Sequence, residues 1–285
     1  MKRNLFVFLT LGLFFVALDS CQNRDMAYGE ESTEVEKRVT FVPSSETRAT
    51  DNAFEAGDVI GVFATTNERG EILPSGNYAS NEKYTFSGGK FIPVGDGIPV
   101  YHGDIYSINY YAIYPYQANQ SVSFTFTVGE DQSTHANYTK NDLMMGYNAA
   151  STTDALVSLK FRHILGQVVI KTSHAGLEGR NCTLLFLSDI NKVNANLAKL
   201  TALRTEGGTR PIDVIMCPDG LNQYKAVVPP QKMVANSVMA YLRIDGTTYL
   251  ARLEKDANLH SGRSIVFDLY PKDDANEYIL KQIDN

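Results

Sequence analysis

The sequence predicts an all-β protein built from two β-sandwich domains in tandem. Three observations carry this. Short apolar runs recur at even spacing, Gly, Pro, Asn and Asp punctuate the gaps between them, and the aromatic complement of Tyr 16, Phe 14 and Trp 0 is of the strand-favouring kind. Of the 285 residues, 44% are hydrophobic, which is ample for two ordinary cores.

The chain opens with a positive Met1-Lys2-Arg3-Asn4 and an apolar run from Leu5 to Leu18. Spanning a bilayer takes about 20 apolar residues, so this run reads as the hydrophobic part of a secretion signal. It ends Leu18-Asp19-Ser20-Cys21, similar to a bacterial lipobox, although Asp19 departs from the usual small residue there. The expectation is a signal peptide over 1–21, a diacylglycerol on the Cys21 thiol and a protein held on the outer face of a membrane. Each buried methylene of such a lipid contributes about 0.8 kcal/mol to the tether. The alternative is an ordinary signal peptide whose cleavage region contains a cysteine.

Residues 22–48 read as a flexible leader, acidic through Glu30, Glu31, Glu34 and Glu36. Inside it the stretch Arg38 to Val42 alternates in the manner of a strand. From Phe54 the strand signals become regular. Asp58–Ala64 is followed by a turn at Asn67–Gly70. Tyr84–Phe86 and Lys90–Val94 flank Gly88-Gly89 as a hairpin. Asp104–Tyr114 runs until Pro115, Val122–Val128 alternates strictly, and Leu143–Tyr147 is short. Leu156–Thr172 opens a second set. It continues through Asn181–Ser188, Ile212–Cys217, Gln223–Val228, Ser237–Ile244, Thr247–Leu253 and Ser264–Leu269. Asn191–Leu203 is the one stretch with helical spacing, through Leu197, Leu200 and Leu203, with a loop as its alternative. The break at Ser151–Ala155 divides the mature chain into domains at 49–154 and 155–285.

The residues offer little chemistry. His102, His135, His163, His174 and His260 show no metal-ligand spacing. No nucleophile elbow, phosphate-binding loop or calcium loop is present, and Gly95-Asp-Gly97 lacks the third glycine of a dinucleotide fingerprint. The carboxylates are scattered. No enzyme, metal or cofactor is expected. A net charge of −6 without a basic stripe excludes nucleic acid as the expected partner. His163, within an apolar run, reads as a structural side chain. The cluster Tyr106, Tyr110, Tyr111, Tyr114 and Tyr116 has two readings: a platform on which a glycan stacks, or a strand packing aromatics on both faces. Cys182 and Cys217 either pair in an oxidising compartment or stay as free thiols.

Several separated pieces together resemble the fimbrillin-like (Mfa-like) proteins of Bacteroidales, relatives of the fimbrial subunits of Porphyromonas. Besides the lipobox, they are Thr47-Arg48-Ala49-Thr50, Phe54–Phe63, Tyr111-Ala-Ile-Tyr-Pro-Tyr116, Asp131-Gln-Ser133, Asn141–Met144, Leu159–Leu165, Val228-Pro-Pro-Gln231 and Gly262–Leu269. Gly166 and the extra Pro230 depart from the family pattern. The resemblance implies transthyretin-like, Greek-key sandwiches and export as a lipoprotein to the outer-membrane surface. It implies cleavage after an arginine, best matched by Arg48 and next by Arg38. Loss of the first strand then opens a groove for the strand of a neighbouring subunit, another copy or a different one. It also leaves open a surface adhesin that binds a host protein or glycan, with Tyr110, Tyr111, Tyr114 and Tyr116 as stacking groups. The C-terminal Tyr278–Ile283 is a candidate donor strand, interrupted by Lys281 and Gln282.

Overall fold

The computed structural model describes residues 36–45, 53–66, 68, 71–177, 180–205, 210–272 and 276–283. The expected lipidation site at Cys21 and the expected cleavage site at Arg48 lie outside them. In chain order the strands of the first half are β1 (Thr40–Ser45), β2 (Val59–Thr66), β3 (Ala79–Ser87), β4 (Lys90–Pro93), β5 (Ile108–Tyr114), β6 (Ser123–Thr127), β7 (Met144–Tyr147) and β8 (Leu156–His163), with helix α1 (His135–Asn141) before β7. The second half has β9 (Gly166–Lys171), β10 (Cys182–Ser188), β11 (Lys192–Asn196), β12 (Thr201–Arg204), β13 (Ile212–Ile215), β14 (Cys217–Pro218), β15 (Gln223–Val228) and β16 (Gln231–Met233). It ends with β17 (Val238–Ile244), β18 (Thr247–Leu253), β19 (Ala257–Leu259), β20 (Ser264–Pro271) and β21 (Glu277–Gln282).

The protein is mostly β, with two cores, as expected. Its sheets, however, curl. The first closes on itself as a barrel in the order β1-β4-β3-β2-β5-β7-β8, and the second is a nine-stranded sheet, β13-β10-β17-β18-β21-β20-β9-β15-β14. Its two ends, β13 and β14, are separated in the chain only by Met216, so this sheet nearly closes too. Sheet membership changes beyond the expected boundary at 154/155. Leu156–His163 pairs with β1 and β7 and completes the first barrel, and the chain crosses to the second sheet at Ile164-Leu165. The unbroken apolar pattern of Leu156–Thr172 hid this crossing, because both strands and the link between them are buried.

Inside the barrel, period-2 alternation turns Val39, Phe41, Ile60, Val62, Tyr84, Phe91, Tyr110, Ala112, Val157, Leu159 and Phe161 toward one another. The opposite faces of β2 and β5 are also covered: Phe63 and Ile113 belong to the second core. Parallel pairing of β9 with β20 goes with burial on both faces, which is why Gly166–Ile170 reads as a continuous buried run. Gly166 itself is required by packing, since a Cβ there would lie 2.4 Å from Cγ of Leu259.

The helical reading of Asn191–Leu203 is overturned. That stretch is the hairpin β11–β12, and β11 pairs along its length with β6 of the first half. Leu203 is exposed, and Asn196 Oδ1 accepts the Lys199 N–H in the turn. The leucine spacing therefore marks no buried helical face. The helix that does form, α1, has no apolar stripe; Thr134 caps it by accepting the Asn137 N–H at 3.2 Å. Among the described residues no helix is long and apolar enough to cross a membrane.

Candidate strand-binding site

The N-terminal strand β1 is held on both sides within the barrel. Its lead-in pairs antiparallel with Ile98–Val100: Val39 N–H donates to Ile98 O at 2.9 Å and Val100 N–H to Lys37 O at 2.9 Å. Phe41 is then opposite Phe91 of β4. The other edge runs parallel to β8, from Thr40 opposite Leu156 to Ser45 opposite Phe161. Ser44 Oγ adds a bond to Leu159 O at 3.3 Å. Alternation decides which side chains enter. Val39 and Phe41 are fully buried, and Val42 faces out at 37% exposure.

The Phe41 ring meets Tyr84 and Tyr110 edge-on, with centroids 5.0 and 5.2 Å away, a favoured geometry for aromatic pairs. Tyr84 hydroxyl accepts the Ile98 N–H at 2.9 Å, tying the floor of the site to the loop that receives Val39. Burial pushes the Tyr84 phenol up to about 12 and raises those of Tyr110 and Tyr114 further, so all three stay protonated at ordinary pH. Phe54, partly buried, packs against the same core. Its ring packs on Phe86, Phe91, Tyr114 and Phe161, three of the four contacts being edge-on at 4.9 to 5.4 Å. Sequence reading missed Phe54 and Tyr84 as parts of a site, because nothing local distinguishes them from other core aromatics.

Arg38 lies in the paired lead-in, bridged to Pro99, and its guanidinium reaches Glu36 at 3.1 Å. The four tyrosines do not form one platform. Tyr110 is only 1% exposed and Tyr114 7%, and Tyr111 packs against the second core. A strand covered on both faces explains the cluster. Tyr114 and Tyr116 nonetheless line an open groove of about 480 Å³ together with Glu55, Asp58, Lys83 and His135. In it Tyr114 hydroxyl donates to Asp58 Oδ1 at 3.1 Å, Glu55 and His135 meet at 3.0 Å, and Lys83 Nζ sits 5.4 Å from the centre of the Tyr116 ring. His163 is a core residue as expected, its Nδ1 2.9 Å from Asp142 Oδ2. Among the described residues no group of three or more His, Cys, Asp or Glu is placed to hold a metal ion. Cys182 and Cys217 are not joined in a disulfide; burial raises the thiol pKa of Cys182, which lowers its reactivity.

Of two buried glutamines, Gln132 joins the halves of the fold and Gln231 ties segments of the second half together. Gln132 precedes α1 and pairs with the backbone of Val227 in β15, while Ile215 N–H donates to Glu130 O at 2.8 Å across the seam of the second sheet. Gln231 accepts the Asp189 N–H at 2.9 Å and donates to Ser188 Oγ at 2.9 Å.

The fold is shared with solved structures. A cell adhesion protein from Bacteroides ovatus superposes with a TM-score of 0.66 at 18% identity, over 87% of this chain and 96% of that one. One from Bacteroides uniformis gives 0.58 at 21% identity, over 87% and 98%. A fimbrial protein from Bacteroides vulgatus gives 0.51 at 14% identity, over 86% and 98%. No curated protein matches the sequence. The model of the family described as fimbrillin-like matches residues 47–283, nearly all of the folded region. The chain belongs to the fimbrillin-like family.

Proposed function

We propose that this protein is a subunit of a cell-surface fimbria that is exported as a lipoprotein through Cys21 and assembled by exchange of β1. One observation carries the reading. Among the described residues the first strand is the one that completes the barrel, and it does so with two buried side chains and ladders on both edges. Cleavage after Arg48 would sever its covalent link to the rest of the fold. An incoming strand would recover the same main-chain bonds along β8 and Ile98–Val100. Arg38 is the poorer candidate because its backbone is already paired. On this reading the two curled sheets are variants of the transthyretin-like sandwich that the family resemblance implies. The test is incubation of the purified precursor with an Arg-specific protease. A new N-terminus at Ala49 and SDS-resistant oligomers are expected; a discrete trimmed product that stays monomeric defeats assembly by this route.

A second reading, a terminal subunit or adhesin that does not propagate, is favoured by the C-terminal strand. β21 is not a loose end: it pairs in parallel with β18 and antiparallel with β20. Such a subunit would accept a strand without offering one. The groove beside Tyr114 and Tyr116 is then the place for a glycan or host-protein contact. Glycan-array binding that is lost in Tyr116→Ala supports it, and a blank array counts against it.

A further inference from the structure

The two tyrosines that flank Phe41 are not equivalent. Tyr84 spends its hydroxyl on the Ile98 N–H. The Tyr110 hydroxyl, on a side chain 1% exposed, has no hydrogen-bond partner among the described residues. Its backbone is satisfied: Asn148 Oδ1 accepts the Tyr110 N–H at 2.7 Å. Only the hydroxyl is left over. A buried phenol both donates and accepts, and leaving it unpaired is costly. The strand that covers this floor brings Val39 and Phe41 inward. Both are hydrocarbons, and neither is able to pair with it. The resident strand therefore fits the groove in shape and in main-chain bonding but not in polarity.

We propose, resting on the reading that β1 is exchangeable, that the Tyr110 hydroxyl selects the strand that replaces it. The favoured occupant is an extended segment of a neighbouring subunit with apolar side chains at alternate positions. It carries a hydroxyl or amide side chain at one of the two inward positions now held by Val39 and Phe41. A hydrogen bond gained on entry makes exchange favourable, since the rest of the ladder is the same before and after. A second copy's own N-terminal strand, with the same Val39 and Phe41, gains nothing by this route.

The first test needs no exchange. Val39→Thr and Phe41→Tyr each add a hydroxyl at nearly constant shape, and each is made in the full chain with Tyr110 and with Tyr110→Phe. Thermal unfolding is expected to show Tyr110→Phe as stable as the parent or more so. At least one of the two added hydroxyls is expected to lower Tm less when Tyr110 is present than when it is Phe. A clear loss of Tm in Tyr110→Phe alone, or equal losses in both backgrounds for both added hydroxyls, overturns the proposal. The second test adds fluorescent peptides spanning Lys37–Ser45, native and with the tolerated substitution, to protein trimmed by an Arg-specific protease. The substituted peptide is expected to stay bound roughly three- to tenfold longer, the worth of one net hydrogen bond. Equal residence overturns the selection. Uptake of neither peptide overturns the exchange reading itself, and the unfolding series tells the two failures apart.

Discussion

Gln132 and Val227 are paired as two backbone residues of a sheet would be: the Gln132 side-chain amide donates to Val227 O at 2.8 Å and accepts Val227 N–H at 2.9 Å. An amide side chain has the donor and acceptor of a peptide group, so it continues a ladder where no strand can reach. Both residues are fully buried. Gln132→Ala leaves a buried N–H and C=O unpaired, at a cost of roughly 2–4 kcal/mol. Urea denaturation checks this, and a change below about 0.5 kcal/mol, the range of an ordinary surface substitution, sinks the bridging role. Gln132→Glu keeps the acceptor and loses the donor. A buried carboxylate there has its pKa raised, so that variant should gain stability as pH falls and the acid form restores a donor.

The alternation of β1 makes a sharper prediction. Phe41→Ala empties a fully buried site between Tyr84 and Tyr110 and should cost about 3–5 kcal/mol. Val42→Ala, one residue along and facing out, should cost no more than about 0.5 kcal/mol. Equilibrium unfolding of the pair checks the register directly. Comparable losses would mean that β1 does not sit as described.

Tyr84 and Tyr110 separate the polar role of a core tyrosine from its bulk. Tyr84→Phe keeps the ring and removes the acceptor of the Ile98 N–H, which should cost about 1–2 kcal/mol. Because Ile98 O receives Val39 N–H, the start of β1 should loosen with it. Limited proteolysis near residues 36–40 is expected to quicken in this variant; an unchanged rate would uncouple the loop from the strand.

Much of this fold was legible in the sequence for a physical reason. Strands with one dry face alternate, and Gly88-Gly89 and Asp245-Gly246 announce their turns, so most strands were found within a few residues. What escaped depends on contacts between distant segments. The crossing at Ile164-Leu165 is silent because the link is as apolar as the strands it joins. Leu197, Leu200 and Leu203 imitate a helix, yet β6 claims β11 as a ladder partner. Gln132 and Gln231 look like ordinary surface residues in sequence, and only the seams they close give them meaning. Both occur within the short motifs Asp131-Gln-Ser133 and Val228-Pro-Pro-Gln231, so the family resemblance pointed to the right places before their chemistry was visible. The tyrosine cluster leaves two readings open in the sequence, and no property of the sequence marks the Tyr110 hydroxyl as the unpaired one.

The last prediction concerns whether the C-terminal strand is free to leave. Glu277 begins β21, and Arg252 of the neighbouring β18 reaches its carboxylate at 3.1 Å, with Lys272 Nζ at 3.2 Å. Hydrogen bonds from Arg252 first and Lys272 second hold the Glu277 carboxyl below the usual carboxylate range. The sign follows: a depressed folded-state pKa stabilises the strand fully above the unfolded value of about 4.3, and that support is lost as pH falls through the depressed value. Hydrogen exchange of residues 276–283, normalised to an unfolded peptide, should therefore quicken relative to β9 below about pH 4. In Glu277→Gln it should be faster already at neutral pH and gain no further in acid. If the two proteins show the same acid response, the carboxylate is not what holds the strand. If β21 exchanges at neutral pH as fast as a frayed end even with Glu277 intact, the strand is free to be donated, and the case for a subunit that only accepts a strand falls with it.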